Sequence, residues 1–265
     1  MFCASLCRNA QQNKRDGRAV SPHFVIWPLP GLRSGVKASA QRMKNLKRSS
    51  HNVLNRFTAK RIEGDSLFAE IGRTVCLAEC LPRKELFEAW ETARRTRRVM
   101  RGGPIVELAA GHGLVSAILL ILDDTSPTAT CIDIARPKSH ARLLEVLTQR
   151  WPRLSGRIEY VEGRLEDAMP SADALAVSVH ACGVLTDRVI DAATAANCRL
   201  AVLPCCHDLV RCDTGDLTGW MDGPLAVDAA RVARLRNAGY RVQTTKIPSD
   251  ITPKNRLLLA WPPNQ

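Results

Sequence analysis

The apolar and polar positions of this chain change rhythm at Gly102-Gly-Pro104. Beyond it, short continuous apolar runs take turns with longer stretches whose apolar residues recur every three or four positions. That pattern predicts buried strands separated by amphipathic helices. Strands are expected at Ile105 to Ala109, Thr128 to Ile132, Arg157 to Val161, Ala174 to Val179, Leu200 to Leu203, Tyr240 to Thr245 and Arg256 to Trp261. Helices are expected at Gly113 to Leu122, Lys138 to Arg150, Thr186 to Ala196 and Ala226 to Ala238. Regular alternation of the two implies an α/β fold, a mostly parallel sheet with helices on both faces.

Before the glycine pair the pattern is helical. Leu67, Phe68, Ile71, Val75 and Ala78 share a face between Ser66 and Cys80, and Pro82 ends that helix. A second helix is expected from Arg83 to Val99, with Leu86, Phe87, Trp90 and Ala93 inward. Residues 1–60 show no sustained period apart from the apolar patch Phe24 to Leu29. The expected organisation is a basic, non-core arm over 1–60, a helical extension over 61–101 and a Rossmann-like domain over 102–265.

Charge sharpens the first boundary. Residues 1–60 carry 12 Lys or Arg and one acid, Asp16, a net +11 out of the chain's +12. Such an arm suits a nucleic-acid tether; a solvated tail, a transit peptide or an extension upstream of Met43 fits the same composition. Arg94, Arg95, Arg97, Arg98 and Arg101 crowd the end of the second helix. They satisfy the helix dipole or form a phosphate-contacting patch beside the ligand crevice. The longest strong apolar run, Leu114 to Leu122, falls short of the roughly 20 residues a membrane span needs. Ten cysteines without a signal-type segment are read as reduced thiols, with a cytoplasmic location expected.

Chemistry gathers where the strands end, because residues just past the carboxyl ends of a parallel sheet line its crevice. The first strand runs into Glu107-Leu-Ala-Ala-Gly-His-Gly113, and the next helix opens at Leu114. Gly111 and Gly113 let backbone approach a ligand. Asp133, 20 residues beyond Gly113, suits the hydroxyls of a ribose. The third glycine of a dinucleotide fingerprint is replaced by Ser116, and Glu107 would repel a pyrophosphate. An acid there suits a cation, so S-adenosylmethionine is expected as cofactor. Glu107 as a helix-capping acid is the plainer reading.

Two further strand ends match one another: His180-Ala-Cys-Gly183 after Val179, and Pro204-Cys-Cys-His207 after Leu203. Together with the glycine loop, Asp133, Thr186-Asp187 and Thr252-Pro-Lys-Asn255, they resemble the Class I methyltransferases of the methyltransferase-25 and tRNA ribose methyltransferase group over about residues 65–262. The resemblance implies a seven-stranded sheet whose last strand, Arg256 to Trp261, is antiparallel. It implies S-adenosylmethionine held by Glu107, Gly111, Gly113, Asp133, Leu165 and Glu166, and RNA, tRNA above all, as substrate. The zinc modules of the tRNA enzymes have no matching ligand spacing here: before residue 65 stand only Cys3, Cys7, His23 and His51.

For His180, Cys182, Cys205, Cys206 and His207, three chemistries stay open. A histidine acts as general base; a cysteine adds to a base as in cytosine-5 methylation, with Cys182 and Cys205 as analogues; or thiolates and imidazole hold a metal. Adjacent Cys205 and Cys206 rarely point the same way, so no four-ligand metal site is expected. Cys76, Cys80, Cys131 and Cys198 read as packing residues, and His112 as a contact to cofactor or solvent. No Asn/Asp-Pro-Pro-aromatic signature follows Val179, which argues against N6-adenine and glutamine-amide methylation. A small-molecule or protein methyltransferase, and a non-catalytic nucleic-acid-binding protein on the same fold, are the competing functions.

Overall fold

The computed structural model describes residues 46–263. Seven strands, β1 (Ile105–Leu108), β2 (Ala129–Asp133), β3 (Ile158–Glu162), β4 (Leu175–Val179), β5 (Arg199–Leu203), β6 (Arg241–Lys246) and β7 (Arg256–Trp261), form one sheet in the order β3-β2-β1-β4-β5-β7-β6. All neighbours pair in parallel except β7, which runs antiparallel to both β5 and β6. The expected α/β, Rossmann-like sheet with a reversed last strand is therefore present. The order reverses between β1 and β4, which opens the crevice at their carboxyl ends.

Side-chain alternation assigns each strand face a helix layer. Leu175, Val177 and Val179 of β4 face a core built with α2 (Leu67–Ala78), α3 (Arg83–Val99), α4 (Leu114–Leu122) and α5 (Lys138–Arg150). Ala174, Ala176, Leu200 and Val202 face the opposite core with α6 (Val184–Ala195) and α7 (Gly223–Asn237). Leu86, Phe87 and Ala93 of α3 join Ile105, Ile118 and Leu119 in a single core, so the helical segment has no seam with the sheet.

Local chemistry sets the helix ends. Ser66 caps α2 by accepting from Ala69 N at 3.2 Å. Glu79 takes a left-handed φ of 47° and stops the helix two residues before Cys80. Pro82 precedes α3, which matches the expected span in full.

The charge pattern placed the end of the arm at residue 60, and packing places ordered chain further back. Leu46 and Leu54 are buried, Val53 bridges Pro82, and Leu54 N donates to Leu81 O at 2.8 Å. A short helix, α1 (Arg56–Ala59), follows under the cap of Asn55. These leucines, which show no period in the sequence, join the core that α2 and α3 build with the sheet. The rest of the arm, with the Phe24 to Leu29 patch, Met43, Cys3, Cys7 and His23, lies outside the described residues. Among those that are described, no helix is long and apolar enough to cross a membrane.

Candidate functional site

The loop after β1 is held by its neighbours. Ala109, Gly111 and Gly113 all have positive φ, at 54°, 51° and 76°. Asp133 braces the turn: its Oδ2 accepts from Gly111 N and its Oδ1 from Ile134 N, both at 2.8 Å. Tyr160 Oη donates to Gly111 O at 2.9 Å, and the His140 ring meets His112 O at 2.9 Å. The glycines serve different needs. A Cβ on Gly113 would stand 2.9 Å from Cys131 Sγ, whereas one on Gly111 would meet no atom within 4 Å and would fill open crevice.

Glu107 is enclosed beneath this loop. Its Oε2 accepts from Ser116 N at 2.7 Å, so it caps α4. It also lines a narrow cleft with Glu85, His112, Val179 and His180. Burial pushes its pKa up to about 7, against the hydrogen bonds from α4. The capping reading of Glu107 is therefore present in the fold, and the same carboxylate lines the cleft.

On the far side of the loop Leu165 is buried in a single 3-10 turn, Leu165–Asp167. Glu166 forms an ion pair with Arg188 of α6. Both line a separate cavity of about 350 Å³ beside Met169 and Ala192, which has no lining residue from the glycine loop. Glu166 was expected at the cofactor, and its carboxylate is instead committed to α6. Ile134, just past the carboxyl end of β2 beside Asp133, is 81% exposed. A lone apolar residue after Asp133 carries no pattern that marks it in the sequence.

The two histidines separate. His180 sits at a φ of 84°, and its Nε2 lies 3.2 Å from Glu88 Oε2. Glu88, buried on α3, also takes Lys84 Nζ at 2.6 Å. Burial alone would raise the Glu88 pKa, but His180 and then Lys84 outweigh it and hold the carboxyl below its usual value. His207 points the other way. Its ring is buried, with Nε2 2.8 Å from Asp228 Oδ1, inside a cluster that includes Arg231, Asp187 and Arg256. It was a candidate base and is corrected to a structural residue, since a buried imidazole locked to a carboxylate does not face the crevice. Glu88 was missed; a glutamate among Leu86, Phe87 and Ala89 on a buried helix face is its only sequence signal.

The thiols converge. Cys182 Sγ lies 3.1 Å from Cys205 Sγ and 3.6 Å from Cys206 Sγ. Cys182 and Cys206 are exposed and Cys205 is half-buried. Cys76, Cys131 and Cys198 are buried as packing residues, and Cys80 is half-buried.

The arginine cluster is not beside the crevice. The chain leaves α3 and enters the amino end of β1, so the end of α3 lies toward the amino ends of the parallel strands, away from the crevice at their carboxyl ends. Arg97 is buried against Asp123 at 3.2 Å and donates to Ser126 Oγ at 2.7 Å. Arg94 and Arg95 pair with Glu91, which leaves Arg98 and Arg101 as the exposed pair. The phosphate-patch expectation is corrected for Arg97, whose charge is used inside the fold.

Residues 85–213, just short of half the chain, match a family profile described as a methyltransferase domain. Among solved structures the chain is similar to mitomycin 7-O-methyltransferase, with 19% identity, 73% of this chain and 57% of that one covered and a TM-score of 0.44. It is similar to human N-acetylserotonin methyltransferase, with 14% identity, coverage of 74% and 56% and a TM-score of 0.43. It is also similar to a tRNA methyltransferase of B. subtilis, with 13% identity, 64% of each chain covered and a TM-score of 0.44. The chain spans little more than half the length of the first two. No curated protein matches it. Strand order, reversed last strand and matched domain make this a Rossmann-like methyltransferase fold.

Proposed function

We propose that this chain is an S-adenosylmethionine-dependent methyltransferase of the methyltransferase-25 and tRNA ribose methyltransferase group, with RNA as its substrate. The observation that carries the cofactor is the pairing of open space at Gly111 with the Glu107 carboxylate beneath it, on the β1 side of the switch point. The residues present fit the group. Glu107 would meet the cationic amino end, the loop backbone would approach the chain between, and Asp133 keeps lone pairs for a ribose while bracing the loop. Ile134 offers the apolar surface a purine needs, and Leu165 the packing beneath it.

When bound, S-adenosylmethionine supplies an electrophilic methyl on a sulfonium sulfur. The acceptor enters from the β4 and β5 side, past His180. With Nε2 turned to Glu88, the other ring nitrogen of His180 is the one free to take the acceptor's proton, and Glu88 orients the ring. The thiolate-nucleophile reading is not favoured, because burial raises the pKa of both Cys182 and Cys205. RNA rests on the net +11 of residues 1–60 and on the group resemblance; Arg98 and Arg101 contribute at the amino-end side of the strands.

Calorimetric titration of the full chain with S-adenosylmethionine tests the cofactor: binding is expected, weakened about tenfold or more by Glu107→Ala and by Asp133→Ala. No binding, or binding indifferent to both changes, overturns it. Labelled methyl transfer into lysate macromolecules then tests the substrate. Label lost after ribonuclease supports RNA; label unchanged by ribonuclease and lost after protease turns the reading to a protein methyltransferase.

A further inference from the structure

We propose that Cys182, Cys205 and Cys206 form a three-thiolate site for one soft cation of the zinc class, with its fourth position open to solvent. The three sulfur atoms lie within 4.8 Å of one another and form a potential ligand set. A tetrahedral ion with metal–sulfur bonds of about 2.3 Å needs sulfurs about 3.8 Å apart. The observed 3.1 and 3.6 Å approach that edge, so small rotations of the side chains complete it without moving backbone.

The fold builds this convergence. β4 and β5 pair in parallel with Val179 opposite Leu203, so Cys182 and Cys206 each stand three residues past matched strand ends. Gly183 N donates to Cys206 O at 3.2 Å and clasps the two loops together. Gly183 holds a φ of 56°, and Thr186 Oγ1 donates to Ala181 O at 2.5 Å, which turns the first loop back over the second. Adjacent cysteines on an extended strand would point apart; the non-strand backbone after Pro204 lets both reach Cys182. Packing does not explain the arrangement, because two of the three side chains are exposed. Soft thiolates select zinc or copper(I) over magnesium and calcium.

Each sulfur gives its proton to solvent as its bond to the ion forms. A divalent ion bound to three thiolates carries one net negative charge. Three protein ligands and one open position is the coordination of a site that takes water or substrate rather than one that only staples the fold. This inference does not require methyl transfer, since metal binding is measured without turnover.

The test uses the full chain, fully reduced and handled without oxygen. Titration with cobalt(II) is expected to give a thiolate-to-cobalt charge-transfer band that saturates at one ion per chain and is displaced by zinc. Cys182→Ser, Cys205→Ser and Cys206→Ser should each weaken binding about tenfold or more, the triple variant should abolish the band, and Cys80→Ser should leave it unchanged. Should a serine variant fail to fold, the native chain serves: zinc should protect Cys182 and Cys206 from alkylation by iodoacetamide. Absence of the band in protein with all thiols free, a band that survives the triple variant, or alkylation unaffected by zinc overturns the site. A Cys182–Cys205 disulfide found in freshly isolated chain, with no bound metal, overturns it as well. Titration with S-adenosylmethionine in parallel keeps this outcome separate from that of the cofactor.

Discussion

Glu107 carries two demands with one carboxylate. It satisfies an orphan N–H of α4, and it keeps a group that ionises with difficulty beneath the crevice. Its folded pKa of about 7 lies above the ordinary value of 4.5, so its stabilising contribution is full below about pH 4.5 and is lost as pH rises toward 7. The loss reaches at most about 3 kcal/mol. Urea unfolding at pH 5 and pH 8 should show this decline in the native chain and its absence in Glu107→Gln; equal declines in both would mean that Glu107 ionises freely. The same group gives affinity the opposite slope. A cationic cofactor should bind more weakly as pH falls below about 7, and Glu107→Gln should flatten that dependence.

At the level of elements, the edge between β5, α7 and β7 is tied by charge. Asp228 of α7 takes His207 at 2.8 Å, Arg231 at 3.2 Å and Arg256 of β7 at 2.6 Å, and Arg231 reaches Asp187 of α6 at 2.8 Å. Arg231 is among the largest fully buried side chains. Removing one partner of such a cluster strands the others' charges, which costs about 3–5 kcal/mol. Asp228→Asn is expected to lower stability by roughly that amount in urea, while S-adenosylmethionine affinity stays unchanged. Affinity lost with stability intact would return His207 to the crevice. The cluster also explains why two similar strand-end motifs behave differently. After β4 the histidine meets Glu88 at the crevice, and after β5 it meets Asp228 inside the fold.

Across the whole molecule, the sheet and both helix layers follow from the alternation of strands and helices, while the boundary near the amino end does not. Leu54 is 1% exposed, and its N–H donates to Leu81 O, although the segment around it shows no helical or strand period. Leu54→Ala should destabilise the chain by about 2–4 kcal/mol in urea with an unchanged m-value. A change well under about 1 kcal/mol would make residues 46–54 a loosely attached strap instead of core.

Much of the candidate site's placement was legible before the fold. Gly111, Gly113, Asp133 and the paired motifs lie at or just past strand ends, with Glu107 on β1 itself, and strand ends are set by local apolar runs. Period-two burial, helix caps and glycine turns are short-range effects, so α3 and α5 could be read to the residue. What only the tertiary structure decided are directions and partners. His180 faces the crevice because Glu88 approaches from α3, some 90 residues earlier in the chain. His207 does not, because Asp228 and Arg231 claim it from α7. Arg97 is spent on Asp123, and three cysteines from two loops meet only because β4 and β5 pair in register. These outcomes depend on contacts between distant segments, where the free energy of a buried charge or a shared ion is set by atoms that no local pattern specifies.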